Sequence, residues 1–289
     1  MSRLPAITRR AALGGLAILG LAATLSLPAP AGAETTLERA RANGYIRVGF
    51  ANEAPFGYAT PEGTLTGEAP EVAKVILKKM GIPEVDGVLT EFGSLIPGLK
   101  AGRFDIIAAG MFINPKRCQE IAFSEPSYGI GQAFLVPKGN PKGLKDYSSI
   151  AGDPSLKLAV MAGAVEGGYA KDSGVKEDQL VVLPDPPSLL AAVQSGRADA
   201  AALTALSIAN LASKGEGVEM TEPFGTVAGK SVVGHGGFGF RKEDKDLLAE
   251  FNKYLVPFIG SPEHLALVTP FGFGKGFLPT KTTAELCAE

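Results

Sequence analysis

The 289-residue chain has no tryptophan, only two cysteines (Cys118 and Cys287) and only two histidines (His235 and His264). None of these four stands close enough to another in sequence to give the ligand spacing of a zinc site, so no metal is expected. There is no Ser/His/Asp or Cys/His pattern and no phosphate-binding glycine loop, which argues against nucleophilic catalysis, and no residue pattern calls for a cofactor. Basic residues are not in excess: 28 Lys and Arg face 30 Asp and Glu, a formal charge of -2. That balance gives no electrostatic footprint for nucleic acid.

Long apolar runs are also scarce, and the one that stands out covers 11–27, behind Arg3, Arg9 and Arg10 and ahead of Ala31, Gly32 and Ala33. A basic start, an uncharged apolar stretch and small residues describe an export signal rather than a membrane span. The expectation is a signal peptide over 1–33 and a mature chain from Glu34. Thr8, Arg9, Arg10 and Leu13 fit the twin-arginine pattern, with an ordinary basic leader as the other reading. No cysteine directly follows the run, so no lipid anchor is expected, and the product should be soluble in the periplasm. Without the three arginines, 25 basic residues face 30 acidic ones, a formal charge of -5. In an oxidising compartment Cys118 and Cys287 can pair; two separate thiols is the alternative.

Two segments echo one another without a gap. Residues 94–110 read SLIPGLKAGRFDIIAAG and residues 188–204 read SLLAAVQSGRADAAALT. Each pattern predicts a short helix capped by Ser94 or Ser188 and closed by Gly102 or Gly196. A G-R-x-D turn then leads into a small apolar strand buried on both faces. The shared turn favours two similar lobes over chance likeness. Elsewhere, strands are predicted at 45–50, 133–137, 156–161, 180–183 and 238–241. An amphipathic helix is predicted at 70–80, ended by Gly81, and another at 244–259. Such alternation implies α/β layers around largely parallel sheets. Ligands in such sheets sit beyond the carboxyl ends of strands. That rule nominates Asn52, Glu53 and Phe56, then Met111, Phe112 and Asn114, and in the second half residues 162–168 and Thr204.

The run 105–128, DIIAAGMFINPKRCQEIAFSEPSY, carries Asp105, Met111, Arg117, Phe123, Ser124, Pro126 and Tyr128 in a characteristic order. With the opening IRVGFANEAPFGY and the GRADA turn, it resembles family 3 periplasmic solute-binding proteins over nearly all of the chain after residue 33. The resemblance implies a two-lobed periplasmic-binding-protein fold with a ligand cleft between the lobes and two hinge crossings, near 133–138 and 232–240. Lobe 1 would comprise 34–136 and 236–289, and lobe 2 would comprise 137–235. Gly234, Gly236, Gly237 and Gly239 would permit tight backbone geometry at the second crossing. It also implies a non-enzymatic, monomeric component of an ABC transporter, partnered by a membrane permease. Within the family the chain is most similar to ectoine/hydroxyectoine-binding proteins. The residues that carry this are Glu53 and Phe56 in NEAPF, Phe92, Phe112 and Arg117 in MFINPKR, and ALTALS at 202–207.

The ligand implied is a small zwitterionic ring bearing a carboxylate and a delocalised amidinium. Arg117 would clamp the carboxylate through its planar fork. Backbone N–H groups near Ala164 and Val165, where a short helix opens toward Glu166, would assist. Many relatives have Gly then Thr where this chain has Gly163, Ala164 and Val165, so the usual hydroxyl contact is missing. Phe56, Phe92 and Phe112 would surround the cation, Glu53 would accept from its N–H groups, and Asn114 would stand beside them. Taken singly, each has a plainer reading as core aromatic, surface arginine or loop acid. Thr204 occupies a position where amino-acid binders commonly carry Asp, and an α-ammonium buried without a carboxylate is costly. The alternatives are a binder of an opine, a betaine or a cyclic amino acid, or an enzyme resembling cyclohexadienyl dehydratases.

Overall fold

Strands and helices alternate through residues 34–288, the part of the chain that this computed structural model describes. The expected leader and its cleavage point lie outside the described residues. One sheet has the order Glu84–Leu89, Tyr45–Phe50, Ile106–Phe112, Gly234–Phe240, Ala122–Phe123, with Tyr128–Ile130 also paired to Gly234–Phe240. The other has the order Leu180–Leu183, Leu158–Met161, Ala200–Thr204, Gln132–Pro137, Val218–Met220. The fold is α/β with two lobes, one on each sheet.

In each sheet the first three strands are parallel. Gly234–Phe240 runs antiparallel to Ile106–Phe112, and Gln132–Pro137 runs antiparallel to Ala200–Thr204. The expectation of largely parallel sheets therefore holds only for strands joined by helical crossovers, which impose that direction. The antiparallel strands enter from the opposite sheet. The chain changes sheet between Ile130 and Gln132, and again between Ser231 and Gly234. Gly131 lies at the first change, where a Cβ would stand 2.6 Å from Phe224 O.

The glycines of Gly234–Phe240 serve a different end from the one expected. None takes a left-handed φ. A Cβ on Gly234 would lie 1.9 Å from the Phe112 ring, and one on Gly236 would lie 2.2 Å from the Tyr128 ring. The strand makes room for two aromatic rings rather than for an unusual backbone.

The echo has a physical basis. Gly102 and Gly196 are both left-handed, at φ 68 and 71. The turn aspartates tie down the neighbouring strand: Asp105 accepts from Arg47 N at 3.3 Å and Nε at 3.0 Å, and Asp199 accepts from Lys157 N at 2.8 Å. The expected serine caps are absent. Ser94 ends a 3-10 turn, Phe92–Ser94, and its side chain makes no capping bond to Leu95–Lys100. Ser188 lies inside Pro186–Gln194, whose cap is Asp185, accepting from Ser188 N at 2.8 Å.

Helix Glu68–Lys79 buries Val72, Ala73, Ile76 and Leu77 beneath the first sheet, beside Leu247, Phe251 and Leu255 of Lys245–Phe258. Each of these Val, Ile, Leu and Phe side chains contributes about 1.5–3 kcal/mol. A second cluster around Phe134, Tyr147 and Val160 backs the other sheet. A third runs from Leu95 and Phe104 through Ala133 and Met161 to Leu189, so apolar contact is continuous between the lobes. Cys118 and Cys287 form a disulfide with Cα atoms 5.7 Å apart, which settles the two readings left open above. Among the described residues no helix is long and apolar enough to cross a membrane.

Candidate ligand-binding site

The carboxyl ends of four strands, Tyr45–Phe50, Ile106–Phe112, Leu158–Met161 and Ala200–Thr204, converge on a small, tightly closed cavity. Glu53, Phe56, Phe92, Phe112 and Arg117 line it from the first lobe, and Ala164, Val165 and Thr204 from the second. Of the strand-end nominations, Asn52, Met111 and Asn114 do not line it, nor do the residues of 162–168 other than Ala164, Val165 and Glu166; Asn114 is the one among them that had been given a ligand role. Its side chain caps Pro115–Cys118, accepting from Arg117 N at 2.9 Å, and so fixes the helix that presents Arg117. A wider recess, opening outward past Asn114, Lys116 and Tyr169, adjoins the cavity at Arg117, Ala164 and Val165.

Arg117 is 8 % exposed. Its Nη1 donates to Phe112 O at 2.7 Å and its Nη2 to Gly163 O at 2.9 Å, across to the other lobe. Burial pulls the guanidinium below its ordinary range, against the opposing pull of Glu166 and Glu53. These two bonds use two of its five N–H donors. Its Cζ stands 5.5 Å from the Phe92 ring centroid, so that ring already carries a cation of the protein's own.

Glu53 sits in a tight loop closed by Glu53 N to Gly57 O at 2.9 Å and Gly57 N to Glu53 O at 3.0 Å. Far from being a loose loop acid, it is 5 % exposed. Its Oε1 accepts from Ser207 Oγ at 2.6 Å, a second bond between the lobes. Burial raises its carboxyl to about 7, against Ser207 and Arg117. Thr204 is turned to the protein itself: its hydroxyl donates to Ser207 Oγ at 3.1 Å and caps Ala205–Lys214. Phe56 packs against Tyr128 and Phe273 at 5.2 and 5.4 Å, and Phe112 lies over Gly234.

The sequence reading missed Ser207 as the partner of Glu53, and Glu166 as a second cavity carboxyl. Glu166 is 2 % exposed, and burial, reinforced by Glu53, raises its carboxyl to about 8. Only its backbone had been considered, because a lone acid in the first turn of a helix reads as a partner of the helix dipole. The cavity therefore has a cationic pole at Arg117, an acidic pole at Glu53 and Glu166, and aromatic walls between. Such an arrangement can hold a small molecule with separated opposite charges.

A third acid, Glu68, is buried behind the aromatic wall, and burial raises it to about 8 against the pull of the Ser127 hydroxyl. All three carboxyls have folded-state pKa values above the ordinary 4.5. At these three sites the folded state holds more protons than the unfolded state, so their contribution to stability is full below pH 4.5 and is lost as pH rises through 7 and 8. At about 1.4 kcal/mol per pKa unit, the ligand-free protein should lose at least about 3 °C of melting temperature between pH 5 and pH 8 relative to Glu68→Gln. Calorimetric melts of both proteins across that range check it; parallel curves would place Glu68 outside this linkage.

Comparison with known proteins follows from this geometry. Residues 46–271 match the model for bacterial extracellular solute-binding proteins, family 3. A probable amino-acid ABC transporter periplasmic-binding protein of Sinorhizobium fredii is 39% identical over 291 residues, covering 98% of this chain and 96% of that one. Among solved structures, EhuB in complex with hydroxyectoine superposes with a TM-score of 0.81 at 38% identity, over 88% of this chain and 98% of that chain. An ancestral amino-acid-binding protein, a precursor of cyclohexadienyl dehydratase, superposes at 0.72 with 28% identity, over 82% and 99%.

Proposed function

The chain belongs to the bacterial extracellular solute-binding proteins of family 3, and from that premise we propose that its ligand is ectoine or hydroxyectoine. As a family member it is the solute-binding component of an ABC transporter for amino-acid-like ligands. In this reading it works in the periplasm as a monomer, closing two lobes over the solute and delivering it to a membrane permease. Arg117 takes the ligand carboxylate, Glu53 accepts from the amidinium N–H groups, and Phe56 and Phe112 flank the ring. Backbone at Ala164 and Val165 supports the carboxylate end, and Asn114 acts through Arg117.

The observation that carries the reading is the pairing of one buried guanidinium with Glu53 across aromatic walls, while Thr204 turns its hydroxyl to Ser207. No carboxylate stands at position 204 to meet a compact α-ammonium, whereas a charge spread over a ring is served by aromatic faces, each worth about 0.5–2 kcal/mol. The likeness to EhuB bound to hydroxyectoine agrees with this. The buried, raised acids Glu53 and Glu166 would also suit proton transfer. Dehydration of a cyclohexadienyl acid is therefore the second reading.

Calorimetric titration with ectoine, hydroxyectoine, α-amino acids and a cyclohexadienyl acid tests both. The expected result is tight binding of ectoine or hydroxyectoine and no turnover. Thr204→Asp would place a further anion beside Glu53 in a dehydrated cleft. Ectoine affinity is expected to fall at least about tenfold, with α-amino-acid affinity steady or higher. A native protein that ignores ectoine and hydroxyectoine and holds an α-amino acid tightly overturns the ligand; turnover of the cyclohexadienyl acid overturns the non-enzymatic role.

A further inference from the structure

Two carboxyls face the cavity, and they are satisfied differently. Glu53 has Ser207 at 2.6 Å. Glu166, the first residue of Glu166–Asp172, has one oxygen engaged and one not. With its amide turned so that nitrogen meets the facing acceptors, Gln132 donates to Glu166 Oε1 at 2.9 Å and to Leu203 O at 3.1 Å. Glu166 Oε2 is fully buried and has no hydrogen-bond partner in the protein. Buried polar atoms without partners are rare in folded proteins and call for an explanation. This one belongs to a side chain that lines the cavity, opposite the lobe that carries Glu53 and Arg117. A guest is the partner the position provides for.

We propose that Glu166 is a second polar anchor for the ligand, and that through it the site prefers a cyclic zwitterion bearing a ring hydroxyl over the same ring without one. This rests on the reading of the ligand given above and assigns the preference within it. The chemistry favours a hydroxyl over a second cationic group. Glu53 shares the cavity, and two ionised carboxylates close together in a dehydrated space oppose one another. The raised value of Glu166 fits a carboxyl that is largely neutral at pH 7 and can both donate and accept. A hydroxyl meets such a group without requiring either partner to be charged. A ring that lacks it leaves a buried oxygen unmet, and sites built around such a bond discriminate strongly against the analogue without it.

The test is calorimetric titration of the mature native protein, Glu166→Gln and Glu166→Leu with ectoine and with hydroxyectoine, alongside ligand-free melting curves. The native protein is expected to hold hydroxyectoine at least about tenfold more tightly than ectoine. Glu166→Leu is expected to lose affinity for hydroxyectoine at least about tenfold more than for ectoine, bringing the ratio near one. Glu166→Gln, which keeps hydrogen-bonding groups in place, should show an intermediate ratio. General damage to the fold would weaken both ligands alike, so the ratio reports the contact. If the leucine variant does not melt cooperatively, the glutamine variant must show the reduced ratio for the proposal to stand. Equal native affinities, or an unchanged ratio in folded variants, overturn the role of Glu166 and leave the ligand reading intact. Native protein that binds neither compound overturns the ligand reading instead.

Discussion

Arg117→Ala is expected to weaken binding of ectoine or hydroxyectoine by about 2–4 kcal/mol, roughly 30- to 1000-fold in Kd. Three losses combine. The ligand carboxylate would be left buried without its charged partner. Phe112 O and Gly163 O would lose donors now at 2.7 and 2.9 Å, the latter from the other lobe. The Phe92 ring would lose the guanidinium above it. Arg117→Lys should recover only part of the effect, because one ammonium cannot reach both carbonyls and still present a flat pair of donors to a carboxylate. Calorimetry with the purified variants measures this. Near-native affinity in Arg117→Ala would remove the residue from the site.

Removing the disulfide should have the largest effect on stability. Cys118 ends the short helix that presents Arg117, and Cys287 lies in the C-terminal helix Thr283–Ala288, 169 residues further on. Closing a loop of that length is worth about 5 kcal/mol in the chain-entropy model, and native disulfides typically contribute about 2–5 kcal/mol. The double substitution Cys118→Ser with Cys287→Ser is expected to lower the melting temperature by about 10 °C. The C-terminal helix would still be held by Thr283, whose hydroxyl donates to Ser124 O at 2.5 Å and whose N–H donates to Glu125 at 3.1 Å. The variant should therefore fold and bind, with reduced affinity as the Arg117 helix loosens. Scanning calorimetry of the variant, and of native protein melted with a reductant, gives two independent readings. A melting temperature within a degree of native in both would show that the bond adds nothing.

Much of the site was legible in the sequence because strand ends in such sheets are few. Once Tyr45–Phe50 and the two echo strands are placed, the residues at and just beyond their ends are fixed by counting, and Glu53, Phe56, Phe112 and Thr204 fall into one cavity with Arg117, which the family motif supplied. What failed was local or relational. Ser188 seemed a cap only because it aligns with Ser94. The run Asp185, Pro186, Pro187 carries the stronger signal of a capping acid followed by proline at the first helical position, and the chain uses it. Asn114 before Pro115 is the same signal, so its role as a cap could have been read directly. The pairing of Ser207 with Glu53 joins residues 154 apart in sequence and depends on how two lobes meet, which no periodicity encodes. The direction of the strands that change sheet was hidden for a related reason: an apolar run of six residues looks the same whichever neighbour it joins.

The Cys118–Cys287 bond also sets the covalent topology of the molecule. Every strand of the second sheet lies between the two cysteines along the chain. That lobe is thus contained in a closed covalent ring rather than hung between two free ends. A single backbone cut in an exposed turn, such as 139–143 or 228–230, opens the ring without releasing a fragment. The nicked product stays one molecule, its two pieces joined through sulfur beside the helix that carries Arg117, and it separates into two only after a second cut or on reduction.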